Sequence, residues 1–362
     1  MSLARDFRDG LAFLGRERPW TLLFLLLLGL AAAAFFLSPV RPAEGPSEAV
    51  QKLQAAEERL KEELREVGSV KNYLADRPGL LLVFNLFSLM LLAAFAAGLV
   101  LDLLWFTRPE WRGRLQSAHG PPEALSWSNG TVFKVLLLFM VSALGLGLAF
   151  SAVRAWFFPR ASADLFSLIH TTAADLLAVL LVFSFVSRGG GDWRGVGFRE
   201  VRPWRDFWTG LAGYAAVVPF FFLVLLGVAL AAYLLSYQPP PHPLVEIFLE
   251  EEEGARGLIA YSIFLACVAG PVFEEIFFRG FCYPAFKQRW GRGWALFLSS
   301  AFFASSHQNI FAFLPIFVLG LGLGYLYEKR GTLVPSIVLH IVHNTIFISY
   351  FFLAKEVLAG GP

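Results

Sequence analysis

The sequence predicts an all-α membrane protein, a bundle of eight or nine transmembrane helices with a cytoplasmic N-terminus. Apolar residues make up 57% of the 362 positions and charged residues only 16%, whereas roughly a quarter of a soluble domain is charged. Several apolar segments also reach the ~20 residues that a helix needs to cross a bilayer core. A soluble globular fold is therefore excluded, and the absence of a basic stripe argues against a nucleic-acid partner.

Hydropathy divides the chain into nine candidate spans. They lie approximately at 20–38, 80–106, 132–157, 164–186, 207–236, 258–279, 293–308, 311–327 and 332–354. The first run follows several arginines, as a secretory signal does, but it is long for a signal and is interpreted as a retained span. The seventh and eighth runs are short and close together, which leaves open eight spans or a re-entrant pair.

The distribution of basic residues predicts the orientation of the bundle. Short cytoplasmic loops are enriched in Lys and Arg. Basic residues cluster in the segments that a cytoplasmic N-terminus would place inside, whereas the loop 238–257 carries four consecutive glutamates, Glu250 to Glu253. We therefore expect a multi-pass protein of the plasma membrane, with a bacterial inner membrane favoured.

Two regions can be separated along the chain. Three glycines at 189–191 and an aromatic, basic stretch divide an N-terminal four-span region (1–190) from a C-terminal core (205–354). The N-terminal region also contains an extramembrane helix at 47–67 with partial heptad spacing. This helix is either a solvated surface helix or a short coiled coil that forms a homodimer or contacts a partner.

Ionisable side chains inside a bilayer are costly, so each one indicates a function or a partner. The sixth span ends in GPVFEEIFFRGF, where Glu275 and Arg279 are four residues apart and can pair. Glu274 points about 100° away around the helix, which leaves it available as a general base. We therefore expect Glu275 to be structural and Glu274 to act in catalysis. His170 and Asp102 are interpreted as helix–helix contacts.

Two further polar clusters lie in later spans. His307 ends the seventh apolar run, and His340 and Asn344 share one face of the last span. A turn near 290–293 is about 15 residues from both Glu274 and His307, so these two side chains should lie at a similar depth. We expect the three clusters to converge on one buried polar site.

These residues resemble the motifs of the CPBP intramembrane peptidases. That family includes the type II CAAX prenyl endopeptidases and the bacteriocin-processing or Abi-like immunity proteins of bacteria. Its three motifs stand here as Glu274-Glu275-Ile-Phe-Phe-Arg279, Phe303-Ala-Ser-Ser-His307 and His340-Ile-Val-His-Asn344. The resemblance covers roughly residues 205 to 354.

The resemblance implies roles for the motif residues. The implied catalytic residues are Glu274, His307, His340 and Asn344. The implied supporting residues are Glu275, Arg279 and Phe303. The first glutamate and the histidine of the second motif would activate the attacking water, and the last motif would stabilise the oxyanion of the intermediate. His343 falls between motif positions and is given a supporting role at most.

The cofactor and the substrate stay open at this point. Glu274, His307 and His340 form a usable zinc set, and the family has been called metalloprotease, but a metal-independent glutamate mechanism is slightly favoured. The substrate would be a membrane-embedded or lipidated peptide, either a prenylated CAAX terminus or a leader peptide. The alternative from another class is a non-catalytic scaffold, an immunity protein or a proton-coupled transporter.

Overall fold

A computed structural model describes residues 18–37, 77–110, 125–235 and 256–359. These residues form helices joined by short turns, without any strand, which confirms the predicted all-α class. The predicted helix at 47–67 and most of the acidic loop 238–257 lie outside the described residues.

Eight long helices make up the described part of the chain. They are α1 (Arg18–Leu37), α2 (Pro78–Thr107), α3 (Asn129–Phe157), α4 (Ala163–Arg188), α5 (Pro203–Leu234), α6 (256–306), α7 (Ile310–Arg330) and α8 (Val334–Ala359). Among the described residues, seven helices are long and apolar enough to cross a membrane. This number is close to the predicted eight or nine spans. It is lower in part because α6, counted as one helix, contains two of the predicted segments.

Helix α6 reverses direction at Gly291. This glycine has φ 79° and ψ 170° inside an otherwise helical run, a backbone conformation that residues with a Cβ rarely adopt. The ring of Phe278 then packs against that of Phe303, with 5.3 Å between centroids. Two residues 25 positions apart can only meet if the helix folds back, so α6 is a hairpin with arms α6a (256–290) and α6b (292–306). The predicted turn near 290–293 is confirmed.

One compact unit contains α1, α3 and α4. The ring centroids of Phe24 on α1 and Phe133 on α3 are 5.7 Å apart. The Nε2 atom of His170 on α4 lies 3.3 Å from the backbone carbonyl oxygen of Ala143 on α3. The interpretation of His170 as a helix–helix contact is therefore confirmed.

The second compact unit contains α2 and α5 to α8. Its buried core draws on four helices and consists of Tyr214, Val218, Phe221, Phe278, Phe303, Leu319, Leu323, Leu326 and Leu339. Helix α2 packs against α5 in this unit, with Phe95 near Phe222, although the sequence groups α2 with the first four spans. The functional division at 190–205 stays a prediction.

Ion pairs join the helices of this unit at the end of α7 that carries its basic residues. Arg330 Nη2 lies 2.6 Å from Asp206 Oδ1, and both side chains are buried. Lys287 Nζ of α6a lies 2.9 Å from Glu328 Oε2 of α7, and the lysine side chain is 26% exposed. The two pairs fix α5, α6a and α7 to one another.

Candidate active site

A buried ion pair on α6a forms the base of the site. Arg279 Nη1 donates to Glu275 Oε1 at 2.8 Å, and both side chains are 0% exposed. Arg279 also donates to the backbone carbonyl of Gly320 on α7 at 3.3 Å. Its guanidinium carbon lies 4.3 Å from the centroid of the Phe303 ring. The predicted pairing of Glu275 with Arg279 is confirmed, and the guanidinium also joins α6a to α6b and α7.

His340 of α8 stands between the two glutamates. Its Nδ1 atom is 3.0 Å from Glu275 Oε1, and its Nε2 atom is 3.5 Å from Glu274 Oε2. Arg279, Glu275, His340 and Glu274 thus follow one another in contact, and we refer to these four residues as the polar chain. The expected convergence of the first and third motifs on one site is confirmed.

The numbers of hydrogen-bond donors and acceptors constrain how the members of the polar chain can bond to one another. A carboxylate can only accept hydrogen bonds, and a neutral imidazole carries a single N–H. The two carboxylates and the one guanidinium leave a single negative charge while His340 is neutral. A carboxylate that faces His340 can therefore accept a hydrogen bond only from a ring nitrogen that carries a hydrogen.

Exposure distinguishes the two glutamates. The side chain of Glu274 is 35% exposed, whereas Glu275 is fully buried and His340 is 2% exposed. Glu274 is therefore the carboxylate of the polar chain that a water molecule or a substrate can reach. This difference agrees with the division into a structural and a reactive glutamate, whose roles in catalysis stay predictions.

Phe303 connects the second motif to the polar chain. Its buried ring lies 5.0 Å from the ring of His307 and 5.5 Å from that of His340, edge to face in both cases. The Nδ1 atom of His307 lies 2.9 Å from the backbone carbonyl oxygen of Phe303. Since a carbonyl only accepts, Nδ1 carries the proton, and Nε2 of a neutral His307 keeps a lone pair that can accept another.

His307 is held at the end of α6b, where the chain turns into α7. The next residue, Gln308, has φ 51°, a left-handed conformation that is uncommon for residues other than glycine. Asn309 then accepts hydrogen bonds from the backbone N–H groups of Phe311 and Ala312 and caps α7. The tight turn keeps His307 partly exposed beside the core.

The remaining polar residues of α8 face other partners. The amide Nδ2 of Asn344 donates to the backbone carbonyl of Ala266 at 2.8 Å. The ring of His343 packs among aromatic rings, 4.9 Å from Phe221 and 4.7 Å from Phe347. His343 therefore belongs to the core, and Asn344 is engaged with α6a.

Two π-helical stretches flank the glutamates. They are Leu265–Ala269 and Ile276–Cys282, with the α-helical Gly270–Glu275 between them. Such widened turns are rare and often occur at functional sites. Sequence reasoning missed them, as it missed the carbonyl groups of Gly320 and Ala266 that the motif side chains bind. The one signal available in the sequence was Pro271, which lacks a backbone N–H.

The candidate metal set does not assemble in this arrangement. Among the described residues, no three His, Cys, Asp or Glu side chains lie close enough together to hold a metal ion. Among the candidate ligands Glu274, His307 and His340, Glu274 and His340 approach each other. Both ring nitrogens of His340, however, already face carboxylates. The site therefore does not fit a metal ion as it stands.

Comparison with protein families identifies one segment of the chain. Residues 256–346 match the family model described as type II CAAX prenyl endopeptidase Rce1-like. This segment contains all three motifs and the whole polar chain. No curated protein and no solved structure matches the chain. The resemblance to the CPBP and CAAX protease family is thereby confirmed over residues 256–346. Together with the seven helices of the described residues that can cross a membrane, this match indicates a multi-pass membrane protein with a protease-family domain.

Proposed function

Because residues 256–346 carry a domain like that of the type II CAAX prenyl endopeptidases, we propose that the chain is an intramembrane endopeptidase. It hydrolyses a peptide bond of a membrane-associated substrate with a water molecule activated by Glu274 and His307. The observation that carries this proposal is the polar chain, in which an accessible carboxylate is supported by a buried histidine, a buried carboxylate and a buried guanidinium.

The chemistry follows from the positions of these groups. As water attacks the carbonyl carbon of the scissile bond, Glu274 or the free Nε2 of His307 accepts its proton. The tetrahedral intermediate then expels the amine, which takes up a proton from the acid so formed. His340, held by Glu275, orients Glu274 as the buried aspartate of a catalytic triad orients its histidine. Arg279 holds Glu275 in place through the hydrogen bond between them.

The substrate class follows from the location of the site. The reactive carboxylate lies on a helix that is long and apolar enough to cross a membrane, so the scissile bond should approach within the membrane or at its surface. Prenylated C-terminal peptides and leader peptides both meet this requirement. Placement in a bacterial inner membrane, with the basic loops in the cytoplasm, belongs to the same proposal.

The test is cleavage by the purified full chain in lipid nanodiscs. The substrates are a peptide library that contains farnesylated C-terminal peptides and leader peptides, and mass spectrometry detects new termini. Glu274→Gln should lower turnover at least ~10²-fold, as expected for loss of a general base. Asp102→Asn, the same chemical change in the span α2, should leave turnover unchanged.

The outcomes separate the competing functions. Cleavage that survives Glu274→Gln would refute the assigned role of Glu274. Cleavage that a chelator abolishes would show that a metal completes the site. A proton-coupled transporter would show pH-driven flux that Glu274→Gln removes, without cleavage of any peptide by the wild-type chain.

A further inference from the structure

The carboxylate of Glu328, near the end of α7, is already engaged by two close donors. The Tyr283 hydroxyl donates to its Oε2 atom at 2.8 Å. Lys287 Nζ lies 2.9 Å from both carboxylate oxygens. Arg292 approaches this carboxylate only to 3.8 Å, beyond hydrogen-bond distance, and its side chain is 45% exposed. Glu328 therefore compensates the charge of Arg292 only weakly.

Arg292 and Lys329 both stand over the ring of Tyr325. The guanidinium carbon of Arg292 is 5.6 Å from the ring centroid, and Lys329 Nζ is 5.8 Å from it. Both distances fall within the range of cation–π contacts. In the described part of the chain, Lys329 has no carboxylate partner. One aromatic ring thus brings two cations together, one from the turn of α6 and one from the end of α7.

The charges of this cluster do not balance. Lys287, Arg292 and Lys329 carry three positive charges against the single negative charge of Glu328, which leaves two positive charges. Since Arg292 and Lys329 meet at one ring, they repel each other, and an anion bound by both would offset this repulsion. The cluster is therefore suited to bind an anion.

Exposed tryptophans flank the cluster. Trp294, which follows the turn of α6, is 63% exposed. Trp204 and Trp208 at the start of α5 are 78% and 62% exposed, and the ion pair between Asp206 and Arg330 joins their helix to the end of α7. Tryptophan is enriched where membrane proteins meet the lipid headgroups. An anion bound at this level is expected to belong to a lipid.

We propose that Arg292 and Lys329, held over the ring of Tyr325, bind the phosphate of an anionic phospholipid. The planar guanidinium can donate two N–H groups to phosphate oxygens, and the ammonium adds a second charge-assisted hydrogen bond. The two uncompensated positive charges favour a headgroup with a net negative charge over a zwitterionic one. The lipid binds between the turn of α6 and the end of α7, and this binding does not depend on the proposed peptidase function.

Native mass spectrometry of the full chain in detergent micelles tests the proposal. Titration with phosphatidylglycerol or phosphatidylcholine gives the Kd of the first bound lipid, which should be lower for phosphatidylglycerol. The double variant with Arg292→Gln and Lys329→Gln should raise the Kd for phosphatidylglycerol roughly 30-fold, about fivefold for each cation removed near the membrane surface. If the wild-type chain binds both lipids equally, the proposal is wrong.

Two matched variants separate this site from the total charge. Arg188→Gln with Arg194→Gln removes the same two charges, but these arginines stand over separate rings, those of Phe185 and Trp193. This variant should change the Kd for phosphatidylglycerol little, and an equal loss would show that only the total charge matters.

The second matched variant, Arg292→Lys with Lys329→Arg, keeps both charges and should keep the preference for phosphatidylglycerol. If it binds this lipid as weakly as the glutamine variant does, positive charge at the two positions is not what binds the lipid. A competition experiment then identifies the source of the phosphate. Glycerol phosphate carries the phosphate without acyl chains, so at the same concentration it should not displace the bound phosphatidylglycerol. If it does, the ligand is a soluble phosphate compound and the lipid site is refuted.

Discussion

Arg279→Met should destabilise the chain strongly, because it leaves the carboxylate of Glu275 buried without a counter-charge. Both side chains are 0% exposed, and the guanidinium bonds Glu275 at 2.8 Å. Removing one partner of a buried ion pair typically costs about 3–5 kcal/mol. The variant also loses the hydrogen bond to Gly320 and the contact with the Phe303 ring, so we expect the upper part of this range.

Unfolding in mixed detergent and SDS micelles measures this free energy. Lys287→Met is the matched control, since it also removes the cation of an ion pair, here between α6a and Glu328 of α7, but the lysine is 26% exposed. An exposed pair typically contributes ~0–1 kcal/mol. The loss of unfolding free energy for Arg279→Lys should lie between those of the two variants, because lysine keeps the positive charge but lacks the planar guanidinium with its several N–H donors.

The double variant with Glu275→Leu and Arg279→Met separates stability from function. Removing both members of a buried pair is often nearly neutral, so this variant should regain much of the stability that Arg279→Met loses. It should nevertheless stay inactive, because His340 has lost the carboxylate at its Nδ1. If Arg279→Met costs no more than Lys287→Met, the buried pair does not stabilise the fold and this reasoning is wrong.

Three further predictions concern the surroundings of the polar chain. A Cβ at Gly320 would lie 3.0 Å from the Cβ of Ser300, so Gly320→Ala should separate α7 from α6b, cost about 1–3 kcal/mol of unfolding free energy, and lower turnover. Asp206→Asn should cost about 3–5 kcal/mol by leaving Arg330 unpaired, with kcat of the folded fraction unchanged in the peptidase assay. His343→Phe should preserve both stability and turnover, because the His343 ring packs against the rings of Tyr214, Phe221 and Phe347. A large loss of kcat would instead assign it a polar role.

The helical architecture was largely predictable because the sequence features that specify it lie within single segments of the chain. Apolar length predicts the spans, and the spacing of Glu275 and Arg279 predicts their ion pair. The reversal near Gly291 also followed from helix geometry, since it places similar lengths of α6a and α6b on either side of the turn. These predictions need only the rise and the periodicity of an α-helix.

The departures from regular helix were not predictable by the same reasoning. Asn344 bonds the carbonyl of Ala266 within a π-helical stretch, which regular helix geometry does not predict. The packing of α2 against α5 depends on contacts between distant segments, such as Phe95 with Phe222, that periodicity does not report. The prediction of a possible zinc site assumed that side chains able to ligate a metal also lie close enough together to do so. In the structure, both ring nitrogens of His340 face carboxylates.

The relation between Glu274 and Glu275 shows most clearly where reasoning from helix geometry stops. Consecutive residues project about 100° apart, which suggested separate partners for the two glutamates. An imidazole, however, has two nitrogens on opposite sides of its ring, and His340 uses one for each carboxylate. One histidine from α8 can therefore link a buried, paired carboxylate to an accessible one on the same turn of α6a. In the proposed peptidase, a fixed buried group thereby positions the accessible carboxylate that accepts the proton of water.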